Sequence, residues 1–117
     1  MQTCDAIIER LAEEGAILST GDAAMDGMMD GGVHCGAVTE LCGPPGSGKS
    51  QLCMRVAAET AVSGGTVAYL DTSSSLSVER LLHFCEPAVR KKCGDVDDAT
   101  RRAELLRALH RVRHFRV

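Results

Sequence analysis

A chain of 117 residues is long enough for one small domain and too short for two of ordinary size. Its 44% hydrophobic and 25% charged content excludes a fully disordered chain, and with 3% aromatics and no tryptophan any core must be built mainly from Leu, Val, Ile, Ala and Met. The formal net charge of -3 hides a split: residues 1–85 carry 4 basic and 11 acidic side chains, whereas residues 86–117 carry 9 and 5. Such an asymmetry marks either a surface for nucleic acid or a partner, or a solvated helical face.

In chain order, residues 5–14 read as a short amphipathic helix with Ile7, Ile8 and Leu11 apolar, Asp5 near its start and Gly15 as its stop. The same region holds Asp5, Glu9, Glu13 and Glu14, acids that a secretory or mitochondrial leader avoids, and no apolar run approaches a membrane span. "AILSTG" is expected as a brief extended piece ending in a turn. Met25, Met28 and Met29 have helical spacing that Gly31 and Gly32 end, and they are expected as core filler. "AVTEL", residues 37–41, is predicted as a strand running into Gly43.

Past the glycine-rich turn, residues 49–63 place Leu52, Cys53, Val56 and Ala57 on one broad helical face, with Gly64 and Gly65 as the stop. "TVAYLD", residues 66–71, is the next predicted strand. "LSVERLLHFC" begins an amphipathic helix containing Leu81, Leu82 and Cys85, which Pro87 is expected to disturb or end, and "KKCGDVDD" reads as a polar connection. Residues 98–112 read as a further helix, capped by Asp98, with Leu105, Leu106, Leu109 and Val112 as its apolar face. "VRHFRV" is a third strand just beginning, without room to be complete. Strand, helix, strand is the βαβ pattern, so the expected fold class is α/β, a partial parallel sheet flanked by helices. The six cysteines, Cys4, Cys35, Cys42, Cys53, Cys85 and Cys93, form no C-x-x-C pair and are expected as reduced, mostly buried thiols of an intracellular protein.

"GPPGSGKS", residues 43–50, matches G-x-x-x-x-G-K-[ST] and lies where its mechanism requires, between a predicted strand and a predicted helix. Gly43, Gly46 and Gly48 let the backbone turn so that successive N–H groups point inward as a nest for phosphate oxygens, and the amino terminus of the following helix adds its own N–H groups and dipole. Lys49 supplies a mobile charge for the β and γ phosphates, the Ser50 hydroxyl can join a Mg²⁺ shell, and Pro44 and Pro45 stiffen the turn. Asp71, at the end of a strand, is positioned either to hold Mg²⁺ through water or to cap a turn.

The run "LSTGDAAMDGMMDGGVHCGAVTELCGPPGSGKSQLC", followed by "VAYLDTSSSLSVERL", resembles the ATPase core of RecA-like recombinases, specifically their eukaryotic paralogs. "STG", Asp26, Gly31-Gly32, "G-x-V-T-E-L" and Gln51 after the motif serine carry the resemblance. It implies a P-loop NTPase of RecA-like type, with residues 1–16 as helix and linker and residues 17–117 as the amino-terminal half of the core. It also implies ATP held by Gly43, Pro44, Pro45, Gly46, Ser47, Gly48, Lys49, Ser50 and Gln51, with Mg²⁺ near Ser50 and Asp71. Other recombinase paralogs are the implied partners, single-stranded DNA is reached through further regions or those partners, and the implied setting is homologous recombination and DNA repair in the nucleus.

Relatives that hydrolyse ATP efficiently usually carry a glutamate after the strand-end "DT"; here that position is Ser73, which is too weak a base near neutral pH. The family's second acidic strand and its DNA-contacting loops would lie beyond Val117. The expected role is therefore an ATP-binding assembly module, with a DNA-dependent ATPase completed by further sequence or a partner, and a truncated interaction protein, as the alternatives. Arg101, Arg102, Arg107, Arg111 and Arg113 either touch a phosphate backbone or, with almost no aromatics among them, face solvent or a partner.

Overall fold

The computed structural model describes residues 3–6, 8, 9 and 15–117. Packing divides the chain into two compact units, Met1–Cys42 and Gly43–Val117.

In the first unit, residues 4–6, 8 and 9 are helical, where the amino-terminal helix was expected; Ile7 and Leu11 of its apolar set lie outside the described residues. Strand β1 (Ile17–Leu18) pairs antiparallel with β2 (Val33–His34), and helix α1 (Ala23–Met28) lies between them in sequence. Asp22 caps α1, its Oδ1 accepting from the Ala24 and Met25 N–H groups at 2.9 and 3.1 Å. Contrary to the core-filler expectation, α1 buries none of its residues and Met28 is 82% exposed. Gly32 has φ 134°, and a Cβ there would stand 2.3 Å from the Leu18 carbonyl oxygen. Gly32→Ala is accordingly expected to cost ~1–3 kcal/mol. Faster amide exchange at Cys35, whose N–H donates to the Ala16 carbonyl at 2.8 Å, is the readout.

Residues 37–41 do not form the predicted strand: they have no ladder partner among the described residues, and Val38 is 99% exposed. β propensity measures how well side chains fit a pleated, half-buried surface, and this stretch has no such surface to fit.

The second unit is built from helix α2 (Lys49–Val62), strand β3 (Val67–Asp71), helices α3 (Val78–Cys93) and α4 (Asp98–Arg111), and strand β4 (Val112–Arg116). β4 lies parallel to β3 in register from Val67↔Val112 to Asp71↔Arg116, so the strand expected to be only beginning pairs along the whole of its neighbour. The parallel connection is thus β3–α3–α4–β4, and not the βαβ predicted around the glycine turn. Helices flanking a small sheet make this an α/β fold.

The core is a helix–helix interface lined by small residues: Ala57, Ala58, Ala61 and Val62 of α2, Leu81, Cys85, Ala88 and Val89 of α3, and Ala108 of α4. Val67, Tyr69 and Val112 pack against it, while Leu70 and Phe115, register partners on the two strands, are exposed. The α2 face is rotated from the expected one, with Cys53 exposed and Met54 buried. On α4, Leu105, Ala108, Leu109 and Val112 follow the i, i+3, i+4, i+7 stripe, which leaves Leu106 outside at 52% exposure.

Pro87 does not end α3, which runs on through Lys91, Lys92 and Cys93 to Gly94. Proline removes one N–H, but continuing the helix buries Ala88 and Val89, and Pro87 itself sits on the exposed side. The polar connection is therefore shorter than expected, and Asp97 takes the cap position assigned to Asp98. Of the six thiols only Cys85 is buried; burial, with Glu59 nearby, pushes it up to about 11. Among the described residues no helix is long and apolar enough to cross a membrane.

Candidate functional site

The glycine-rich turn opens the second unit and leads directly into α2. The Ser47 N–H donates to the Pro44 carbonyl at 3.2 Å, closing a turn with Pro45 at its first central position. Gly46 follows at φ 79°, and proline then positive φ is the residue pattern of a type II turn. Gly48 is the N-cap of α2 at φ 99°, with no side chain hydrogen-bonded to the helix start. At Gly43 a Cβ would meet Ser47 Oγ at 2.6 Å, so a side chain there would make the Ser47 hydroxyl turn away.

Lys49 folds back across this turn. Its Nζ donates to the Gly43 carbonyl at 2.6 Å and to the Pro44 carbonyl at 3.0 Å, with Ser47 Oγ at 3.5 Å. Ser50 and Gln51 are exposed on the first turn of α2. A compact ammonium held by two exposed carbonyl oxygens and a serine hydroxyl, beside the amino terminus of a 14-residue helix that no side chain caps, is the chemistry an anion would compete for.

Asp71, at the carboxyl end of β3, is 3% exposed, and both of its carboxylate oxygens accept hydrogen bonds within the chain. Its Oδ1 accepts from the Ser73 and Ser75 N–H groups at 3.2 and 3.0 Å, and its Oδ2 from the Leu76 N–H at 3.0 Å. The His114 ring stands 3.4 Å from Oδ2, and both serine hydroxyls reach Oδ1 at 3.4 Å. The Leu76 bond, joined by those from Ser75, Ser73 and His114, holds this carboxyl well below the usual carboxylate range despite burial. Strand alternation puts Tyr69 on the same side, where burial first, then the nearby Cys53 and Asp71, raise its phenol against the hydrogen bond with Ser75.

Two cations not anticipated from the sequence hold the far end of α2. Lys92 Nζ donates to the Val62 carbonyl at 3.1 Å, and Arg111 Nη1 to the Ala61 carbonyl at 3.1 Å, so α3 and α4 each place a positive charge at the negative end of the helix dipole. Lys92 and Arg107 also share Glu104. Of the five arginines considered for nucleic acid, Arg101 pairs with Asp98 at 3.2 Å and Arg107 and Arg111 are engaged as above. That leaves Arg102 and Arg113 exposed. No pattern in the sequence signals Lys92 or Arg111 in these roles, because both contacts span tens of residues.

Residues 12–110 match the family described as Rad51. The chain belongs to the Rad51 family. It is 36% identical over 112 residues to the DNA repair protein RAD51 homolog 4 of Mus musculus, covering 95% of this chain and 32% of that protein. To the DNA repair protein RAD51 homolog 2 of Homo sapiens it is 44% identical over 77 residues, 61% of this chain and 20% of the relative. To the DNA repair and recombination protein RadB of Methanobrevibacter smithii it is 42% identical over 60 residues, 51% of this chain and 26% of the relative. The chain thus spans about a third or less of the length of these relatives.

In this Rad51-family chain the "STG…D" pattern has a local structural reason. Thr20 is fully buried, and Asp26 accepts from the Thr20 N–H at 2.8 Å and from the Ser19 and Thr20 hydroxyls at 2.6 Å each. The carboxylate ties α1 to the turn that follows β1.

Proposed function

We propose that the chain is an ATP-binding recombinase-paralog module of homologous recombination and DNA repair, acting in the nucleus through nucleotide-dependent assembly with other paralogs. On this reading residues 17–117 are the amino-terminal half of a RecA-like P-loop core, preceded by a helix and linker in residues 1–16. Contact with single-stranded DNA falls to further regions or to the partner subunits. The observation that carries the reading is the Lys49 ammonium held across the Gly43–Pro44 carbonyls at the start of a helix that no side chain caps, in a chain of this family.

The residues fit a magnesium nucleotide. Gly46 and Gly48 at positive φ face open space where side chains would otherwise stand. Gly43 through Gln51 would line the phosphates, Lys49 exchanging its carbonyl partners for phosphate oxygens, with Ser50 and, through water, Asp71 on the Mg²⁺ side. Bound Mg²⁺ would neutralise phosphate charge. Ser73 offers only a hydroxyl, already turned to Asp71, where a water-activating carboxylate would be needed; slow or absent turnover follows. Nucleotide would then act by its differential affinity for two assembly states.

A thermal-shift titration with Mg-ATP tests this. Saturation at a hundredfold above Kd is expected to stabilise the chain by about 2.7 kcal/mol, and Lys49→Ala to remove that increment relative to its own nucleotide-free baseline. No stabilisation at millimolar Mg-ATP refutes binding. Turnover at the rate of an active recombinase, with or without single-stranded DNA, refutes the assembly role.

A further inference from the structure

The serine run following β3 has a second use that does not depend on the nucleotide reading. Residues 72–77, "TSSSLS", join β3 to α3 without regular hydrogen-bonded structure, and Thr72, Ser73, Ser74 and Ser75 are exposed. Their surroundings differ. The hydroxyls of Ser73 and Ser75 face Asp71 Oδ1, so a phosphate on either would meet a buried carboxylate. Ser77 caps α3 through the Arg80 N–H, with Glu79 in the same first turn.

Ser74 alone among them faces a cation: its Oγ accepts from Arg116 Nε at 2.9 Å. Among the described residues that guanidinium has no carboxylate within ion-pair distance. The Ser74 N–H takes no part in the bonds to Asp71, and the residue is exposed with its backbone in the left-handed region at φ 57°.

We propose that Ser74 is a phosphorylation site whose phosphate is received by Arg116. A serine/threonine kinase would transfer the γ-phosphoryl group of its own ATP to Ser74 Oγ. The bond from γ-phosphorus to the bridging oxygen breaks, ADP leaves, and the hydroxyl proton passes to the kinase's base. The phosphate then offers three acceptor oxygens to a guanidinium that now donates to one hydroxyl, and fork-shaped pairing replaces a single neutral hydrogen bond. Because Arg116 is the last residue of β4 and the Val117 N–H already donates to the Asp71 carbonyl at 3.1 Å, the modification fastens the loop to the carboxyl end of the sheet.

The test is a cycle of four full chains: Ser74 or genetically encoded phosphoserine at 74, each with Arg116 or Arg116→Gln. Phosphoserine is expected to raise the melting temperature by roughly 4 °C or more in the Arg116 background, and not with Arg116→Gln. Equal shifts in both backgrounds, or no rise with Arg116, overturn the pairing. Mass spectrometry of the protein isolated from its host cells is expected to locate phosphate on Ser74 in the peptide ending at Arg80. Finding that peptide unmodified, or modified only at its other hydroxyls, overturns the site.

Discussion

Leu81→Ala is expected to cost about 2–5 kcal/mol, and Ala61→Leu about 1–3 kcal/mol, in denaturant unfolding of the chain. The two changes attack one interface from opposite sides. Leu81 is 3% exposed and supplies much of the volume that α3 brings to α2, so its truncation leaves a cavity that the alanines opposite cannot fill. Ala58, Ala61 and Ala108 are fully buried, and their small size is what lets the three helices approach. A leucine at 61 must push them apart, and with them Arg111, whose guanidinium reaches the Ala61 carbonyl. Against a total stability of order 5–15 kcal/mol, either change is a large fraction. A cost below about 1 kcal/mol for both would show that this interface is not the core.

That interface was only partly legible in the sequence. The helical period of α4 was clear because Leu105, Leu109 and Val112 are large and regularly spaced. On α2 the expected face of Leu52, Cys53, Val56 and Ala57 shares only Ala57 with the buried set, which is Met54, Ala57, Ala58, Ala61 and Val62; three of these five are alanines, which carry almost no pattern. Around the glycine turn the start of α2 at Lys49 was legible, because positive φ at Gly46 and Gly48 leaves few alternatives to glycine, whereas the strand expected before Gly43 does not form. "AVTEL" failed as a strand because strand formation depends on a neighbour, which composition cannot supply. Pro87 misled for a related reason: its local penalty was real, but the burial of Ala88 and Val89 beyond it is tertiary. The cysteines were expected inside on average behaviour, and five of the six are wholly or partly outside, so the average preference of the residue type did not decide these positions.

Asp71→Ala is expected to lower the melting temperature at neutral pH and to release the loop after β3, read as faster amide exchange at Ser73, Ser75 and Leu76. Three backbone donors lose a charged acceptor at once, two of them on Oδ1 and one on Oδ2. The pH dependence follows from the depressed carboxyl. Its folded value lies below the unfolded one of about 3.9, so its contribution is complete above about pH 4 and disappears as the pH falls through the folded value.

Asp71→Asn, which keeps one acceptor and loses the charge, is therefore expected to flatten the acid limb of the stability curve below about pH 4. Identical acid limbs for the two proteins would refute the assignment. The same variant separates the two readings of this residue. A carboxylate that only caps the loop leaves the Mg²⁺ dependence of nucleotide stabilisation untouched by Asp71→Asn. One that also reaches Mg²⁺ through water makes the variant respond to nucleotide nearly alike with and without the metal, because the neutral amide no longer draws the cation to the end of β3.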